Sequence, residues 1–187
     1  MNSKIKTFYT DKQVCFDSIK ESSYSQSPLK PHLLMKRFQE TGHADLLDID
    51  GSFEPIKKED YYIAHTKDYV ENVYTGTGNC RSNSLPWSQN LVDSLPYTTG
   101  SLYAASKWAI EHPEQIAFAP ISGMHHAQPE RGSGFCTFSG QVVSAIKIYQ
   151  ETGKVCAYLD LDGHFGNSIE DTRKFNPLLN KAIPRGC

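Results

Sequence analysis

Two short apolar runs flank a helical pattern in the second half of the chain. The first, Ile116-Ala117-Phe118-Ala119, precedes a loop over residues 120–127. The second, Lys154-Val155-Cys156-Ala157-Tyr158-Leu159, has the mostly apolar, β-forming character of a strand buried on both faces of a parallel sheet. Between them Val142, Val143, Ala145, Ile146 and Tyr149 recur close to helical spacing, which predicts a helix over residues 138–150 ended by Gly153. Strand, loop, helix, strand is a crossover unit. Its strands are expected to be parallel near neighbours, with their following loops opening on one edge of the sheet.

The same pattern predicts the rest of the chain. Lys6-Thr7-Phe8-Tyr9 reads as a first strand. Residues Lys30–Glu40 carry Leu33, Leu34 and Phe38 at helical offsets behind Pro31, and Gly42 stops them. Thr66 caps a helix running to Tyr74, with Tyr69, Val70 and Val73 on its buried side. The polar residues 76–84 read as an exposed, mobile loop. Residues 88–111 form a long helical stretch in which Pro96 predicts a kink or a break. Leu102, Ala105, Trp108 and Ala109 are its expected core stripe. Asn167 is positioned to cap a helical turn with acidic residues in it, and from Phe175 to Cys187 the pattern fades into irregular chain.

Composition narrows the class. At 187 residues, with 39% hydrophobic content and neither internal repeat nor linker, the sequence fits a single domain over residues 1–187. A net charge of −2 gives no basic patch, so nucleic acid is not an expected partner. The first six residues lack the apolar core of a signal peptide, and no run approaches the roughly 18 apolar residues of a membrane span. Five cysteines, Cys15, Cys80, Cys136, Cys156 and Cys187, show neither zinc-knuckle nor disulfide-framework spacing. Reduced thiols and a cytoplasmic location are the expectation.

Candidate chemistry sits at the ends of the two apolar runs. Asp160-Leu161-Asp162-Gly163-His164-Phe165-Gly166-Asn167 follows the second, at the strand end where open α/β sheets bind ligands. Residues two apart project to one side, so Asp162 and His164 can reach one ion while Asp160 lies a layer behind. A carboxylate with an imidazole suits zinc or another first-row divalent metal. Taken alone, the segment also reads as a solvated Asp/Gly turn. The adjacent His125 and His126, in the loop after the first run, are placed by the crossover to face the same pocket.

These residues carry a resemblance. Gly123-Met124-His125-His126-Ala127 through Gly132-Ser133-Gly134-Phe135-Cys136 resembles the histidine-pair and Gly-Phe-Cys motif of the zinc-dependent histone deacetylase and acetylpolyamine amidohydrolase family. Asp160 to Asn167 resembles its strand-end metal motif. Weaker collinear likenesses are Ser27-Pro28-Leu29-Lys30-Pro31-His32, His65-Thr66-Lys67-Asp68-Tyr69, and Leu85-Pro86-Trp87-Ser88, the last similar to bacterial and class IV members. The resemblance implies an α/β, three-layer αβα architecture with a mainly parallel sheet, the arginase-deacetylase fold. It implies that Asp162 and His164 bind the metal, zinc (Zn2+) or alternatively iron (Fe2+) or another divalent ion, with a structural potassium ion (K+) as a further cofactor. His125 and His126 would handle protons, with Asp160 buttressing His125 and Asn167 contacting His126. Gly134, Phe135 and Phe165 would line the acyl site. Since Asn167 cannot stabilise an imidazolium as a carboxylate would, His126 is the expected resting base. The implied substrate is an acyl-lysine or an acetylated polyamine, with no nucleic acid and no membrane as partners.

The sequence departs from the family in one major way. Relatives carry a third metal ligand, an Asp, and an oxyanion-stabilising Tyr far downstream of the strand-end motif; neither pattern occurs here. The sequence thus reads as the amino-terminal portion of a truncated deacetylase domain, feeble by itself, completed by a carboxyl-terminal half or a homo-oligomer. Smaller departures are Leu33, where many relatives have Arg, and Gly140, where many have Asp. A non-catalytic pseudoenzyme or interaction module is the main alternative. A metallophosphoesterase would need later Gly-Asp and Gly-Asn-His motifs, which are absent, and Asn167 disfavours a two-metal ureohydrolase.

Overall fold

Three short parallel strands, β1 (Ile5–Phe8), β2 (Leu47–Asp50) and β3 (Ala117–Phe118), make a sheet in the order β2-β1-β3. Ile5 lies opposite Leu47, and Lys6 opposite both Asp48 and Ala117. The computed structural model describes residues 4–19 and 25–185. They divide between two compact units, one comprising Met1–Ile56 and Ser88–Ser122, the other Lys57–Trp87 and Gly123–Cys187.

In the first unit the sheet is packed by α3 (Gln89–Glu111), which Ser88 caps by accepting from the Leu91 N–H at 3.1 Å. The helix runs through Pro96 without the break that was one of the two expectations there. Neighbours hold the disturbed turn: the Pro96 carbonyl accepts from the Ile56 N–H at 3.2 Å, and Thr98 donates to both Ser94 and Gln13 carbonyls. The expected core stripe also shifts. Of its four residues only Ala105 is fully buried, whereas Ser94, Thr98, Thr99, Gly100 and Ser101 are. Small residues let the helix approach closely: a Cβ on Gly100 would lie 2.6 Å from the Glu54 carbonyl, and Ser101 donates to the Phe8 carbonyl at 2.6 Å. Their hydroxyls satisfy backbone carbonyls, so polar letters form a buried face. Helix α1 (Lys30–Glu40) has the expected bounds, with Gly42 at φ 72° beyond it. Its buried residues are Pro31 and Met35; Leu33 and Leu34 are exposed.

In the second unit α2 (Lys67–Thr75) starts at Thr66, whose hydroxyl accepts from the Tyr69 N–H, and buries Tyr69, Val70 and Val73 as expected. Helix α4 (Gly140–Thr152) ends at Gly153 in the left-handed region at φ 69°. The stretch 76–84 is a loop, exposed as expected at Thr77, Gly78, Asn79, Arg81 and Ser84, but anchored at two buried residues, Cys80 and Asn83, and the Asn83 amide donates to the Thr137 hydroxyl at 2.8 Å. Residues 154–159 form no strand. They join no ladder among the described residues. Val155 and Leu159 are 54% and 81% exposed. An apolar β-pattern becomes a strand only where a neighbouring backbone accepts it, and the Cys156 N–H meets the Ala182 carbonyl instead.

Helix α5 (Ser168–Phe175) begins where predicted, with Glu170 and Asp171 in its first turn, but the Asn167 side chain does not cap it. A single further turn, α6 (Leu179–Ala182), occupies chain expected to be irregular. It is organised by Arg173, whose guanidinium donates to Glu170 at 2.7 Å and to the Ile183 carbonyl at 2.6 Å. Residues 1–3, 186 and 187, including the Cys187 thiol, lie outside the described residues. Cys15, Cys80, Cys136 and Cys156 form no disulfide among the described residues. No helix among the described residues is long and apolar enough to cross a membrane.

The core of this unit is centred on Tyr61, His65, Tyr69 and Phe138, with the Tyr61 and Phe138 rings 4.0 Å apart. The fully buried His65 ring donates from Nδ1 to the Gln128 carbonyl and accepts at Nε2 from the Ser139 N–H, both at 2.8 Å. Burial pushes its pKa down to about 4. Below about 6.5 the unfolded chain takes up a proton here that the native ring refuses, so stability present at neutral pH is lost as the pH falls from about 6.5 towards 4. Thermal melts are expected to show a loss of up to about 1.4 kcal/mol per pH unit between pH 6.5 and 5, flattened in His65→Gln. A pH-independent midpoint over that range in the parent protein would contradict a neutral, buried ring.

Candidate functional site

The site is assembled from two segments of the second unit by short-range turns and one long-range tie. Asp160 Oδ1 accepts from the Asp162 N–H at 3.1 Å, and Asp162 Oδ1 accepts from the His164 N–H at 2.8 Å. Two successive Asx turns therefore replace the strand end expected there and set Asp160, Asp162 and His164 in alternation. The histidine loop is held to this segment by the Ser168 N–H, which donates to the His125 carbonyl at 3.0 Å.

Side chains of the two segments then meet. His125 Nδ1 lies 2.9 Å from Asp160 Oδ2, and His126 Nδ1 lies 3.3 Å from Asn167 Oδ1. The two histidine rings are 4.0 Å apart between centroids, tilted by 44°. His125 Nε2 is 4.0 Å from Asp162 Oδ1, and the His126 and His164 rings are 6.2 Å apart. Exposure rises outward, from 14% for the His125 side chain to 83% for that of His164.

The hydrogen-bond directions fix the tautomers. Asn167 Nδ2 donates to Asp171 Oδ2 at 2.6 Å, so its amide oxygen faces His126. An amide oxygen only accepts, so His126 donates from Nδ1 to it and Nε2 faces away from that bond. His125 likewise donates from Nδ1 to Asp160. Burial would raise the Asp160 carboxyl, but the Asp162 N–H and the His125 ring outweigh it and hold it below the ordinary carboxylate range. The His164 N–H and ring lower Asp162 in the same way. Both carboxylates are charged at neutral pH.

Asp162 Oδ1 and His164 Nδ1 stand 3.0 Å apart. Two donors bound to one ion at about 2.0–2.2 Å each fall at a similar separation, so the pair fits two positions of a zinc shell. No group of three or more His, Cys, Asp or Glu side chains arranged for a metal occurs among the described residues.

Of the expected acyl-site residues, Gly134 approaches the His126 ring. Ser133 and Cys136 pair across a tight turn whose central residues, Gly134 and Phe135, have φ of 50° and 65°. Positive φ at both is what a type I′ turn requires. A Cβ on Gly134 would strike His126 Cδ2, so glycine lets the turn close on that ring. Phe135, a bulky residue in the left-handed region, is held by its N–H donating to the Asn83 carbonyl at 2.9 Å. Phe135 and Phe165 are both exposed. Sequence reasoning missed Asn83, Gln141 and Ser168 as supports of the site. For Gln141 a signal existed: it is a polar residue one turn before Ala145 on the mostly apolar buried face of α4.

Comparison with known proteins places these motifs in context. Residues 24–178 match the family described as the histone deacetylase domain. Histone deacetylase 8 of Xenopus laevis is 30% identical over 90 residues, covering 48% of this chain and 27% of that protein. Histone deacetylase 1 of Oryza sativa subsp. japonica is 26% identical over 159 residues, covering 77% of this chain and 30% of that protein. The crystal structure of the HDA15 HD domain superposes with a TM-score of 0.73 at 17% identity, over 98% of this chain and 52% of that one. This likeness shows the arginase-deacetylase fold expected from the sequence. The chain spans less than a third of those two curated relatives and about half of the solved domain.

Glycine geometry offers a direct test of the site. A Cβ on Gly166 would collide with Asp160 Oδ2 and lie 3.0 Å from His125 Nδ1, whereas one on Gly163 meets nothing within 4 Å. Gly166→Ala is therefore expected to part Asp160 from His125 and remove the downfield imidazole proton signal of that bond, while Gly163→Ala preserves it. Retention of the signal in Gly166→Ala would refute the close approach.

Proposed function

The chain belongs to the histone deacetylase domain family, and from that premise we propose that it contributes the acid–base pair and two metal ligands of an amide hydrolase that removes acyl groups from lysine side chains or polyamines. The observation that carries this reading is the paired set His125–Asp160 and His126–Asn167 gathered beside Asp162 and His164. Asp162 and His164 would hold a divalent ion, zinc by donor chemistry, which when bound polarises an amide carbonyl and makes its water acidic.

The remaining work falls to residues of this chain. His126, with Nδ1–H pointed at Asn167, offers Nε2 to take a proton from the attacking water. His125, braced by the charged Asp160, is better suited to hold a proton and return it to the leaving amine. The exposed Phe135 and Phe165 would present apolar faces for an acyl chain, Phe135 on the turn that Gly134 closes against His126. Completion of the site needs a third metal ligand and an oxyanion donor from outside the described residues. Without such a donor turnover falls by about 10²–10³.

Zinc titration with parallel assays on an acetyl-lysine peptide and an acetylated polyamine tests the proposal. Asp162→Ala is expected to weaken zinc binding by at least about tenfold. His126→Ala should leave zinc binding unchanged while lowering any turnover by about 10²–10⁴. Full zinc affinity in Asp162→Ala would remove that residue as a ligand. A chain that takes up no zinc and cleaves neither substrate would support the interaction-module reading instead.

A further inference from the structure

Gln141, on the first turn of α4, is buried with only 7% of its surface exposed. Its amide nitrogen donates to two acceptors in different segments. One is the Met124 carbonyl at 3.3 Å, immediately before the histidine pair. The other is the hydroxyl of Ser168, the residue immediately after Asn167. The Ser168 N–H in turn donates to the His125 carbonyl. Together these bonds close a ring of contacts that ties the backbone of Met124 and His125 to the residue following the partner of His126.

This arrangement carries a cost in stability. The Met124 carbonyl can only accept, which fixes the amide orientation and leaves Gln141 Oε1 buried without a hydrogen-bond partner. An apolar side chain of similar size would avoid that desolvated oxygen, and the Met124 carbonyl already accepts from the Ala127 N–H. Local choices that run against packing are expected where geometry serves a site. We propose that Gln141 is a positioning residue acting through Ser168: it sets the histidine loop against the Asp160–Asn167 segment and so fixes the approach of His126 to Asn167. Its consequence for catalysis rests on the acid–base reading above, whereas the mechanical tie is measurable without turnover.

Gln141→Met keeps the volume and removes both donors. In the full chain the Ser168 amide is expected to exchange with deuterium at least about tenfold faster, while the melting temperature rises or stays within about 5 °C of the parent. Unchanged exchange at Ser168 would overturn the proposal. So would a larger fall in melting temperature with faster exchange throughout α4, since Gln141 would then be an ordinary core residue. Combined with Ser168→Ala, Gln141→Met should shift the His126 imidazole resonances no further than either change alone; additive shifts would remove Ser168 as the relay. Absence of deacetylation by the parent protein would count against the proposed function and leave the exchange result standing.

Discussion

The 2.9 Å bond from His125 Nδ1 to Asp160 Oδ2 joins segments 35 residues apart, and the rest of the site is arranged around it. It can form only because neighbouring positions give up side-chain volume. Gly166 has no Cβ to push Asp160 away, and Gly134 lets a turn close on the second histidine. The Asp160 carboxylate would suffer from partial burial if it faced His125 alone; the Asp162 N–H shares its charge and keeps it ionised. A single carboxylate thereby orients an imidazole and pins the turn that presents Asp162 and His164.

The second histidine is treated differently, and the difference has a structural cause. Asn167 is not spent on capping α5. Its amide nitrogen reaches Asp171 in the helix's first turn, and its oxygen faces His126. The acidic first turn, which in isolation only complements the helix dipole, here selects the amide orientation and through it the tautomer of a neighbouring ring. Two adjacent residues of the same type thus acquire unlike partners, a charged one for His125 and a neutral one for His126. On the proposed function this separates the proton-holding from the proton-accepting role without any difference in backbone placement.

What the sequence made legible were features set by local chemistry. Thr66 capping α2, Gly153 ending α4 and the bounds of α1 follow from one or two side chains acting on their own backbone. Asp160, Asp162 and His164 could be picked out because their spacing alternates, and His125, His126 and Asn167 because they match the family's motifs; the structure brings them together. Features that depend on a distant partner were not legible. The buried face of α3 is written in Ser, Thr and Gly, which read as polar until Phe8 and Glu54 supply what their hydroxyls and missing side chains meet. Residues 154–159 have a strand's letters without a ladder. Asn83 and Gln141 are polar residues whose burial depends on carbonyls and hydroxyls far along the chain.

Phe135 shows how such distant support permits a locally unfavourable conformation. A phenylalanine at φ 65° carries a backbone cost of about 1–3 kcal/mol, which persists only where the surroundings over-determine it. They do so here. The Phe135 N–H is taken by the Asn83 carbonyl, Asn83 is fixed by Thr137 and by the Leu85 N–H, and the Thr137 carbonyl accepts from the Tyr69 hydroxyl at 2.8 Å. A Cβ on Gly132 would lie within 2.8 Å of the Tyr69 hydroxyl and of Asn83, so the base of the turn is packed as closely as its tip. Any ordinary residue at the Phe135 turn position could relax towards negative φ if one of these ties were lost. Their joint effect is to hold the Phe135 backbone in its left-handed conformation, on the turn that Gly134 closes against the His126 ring.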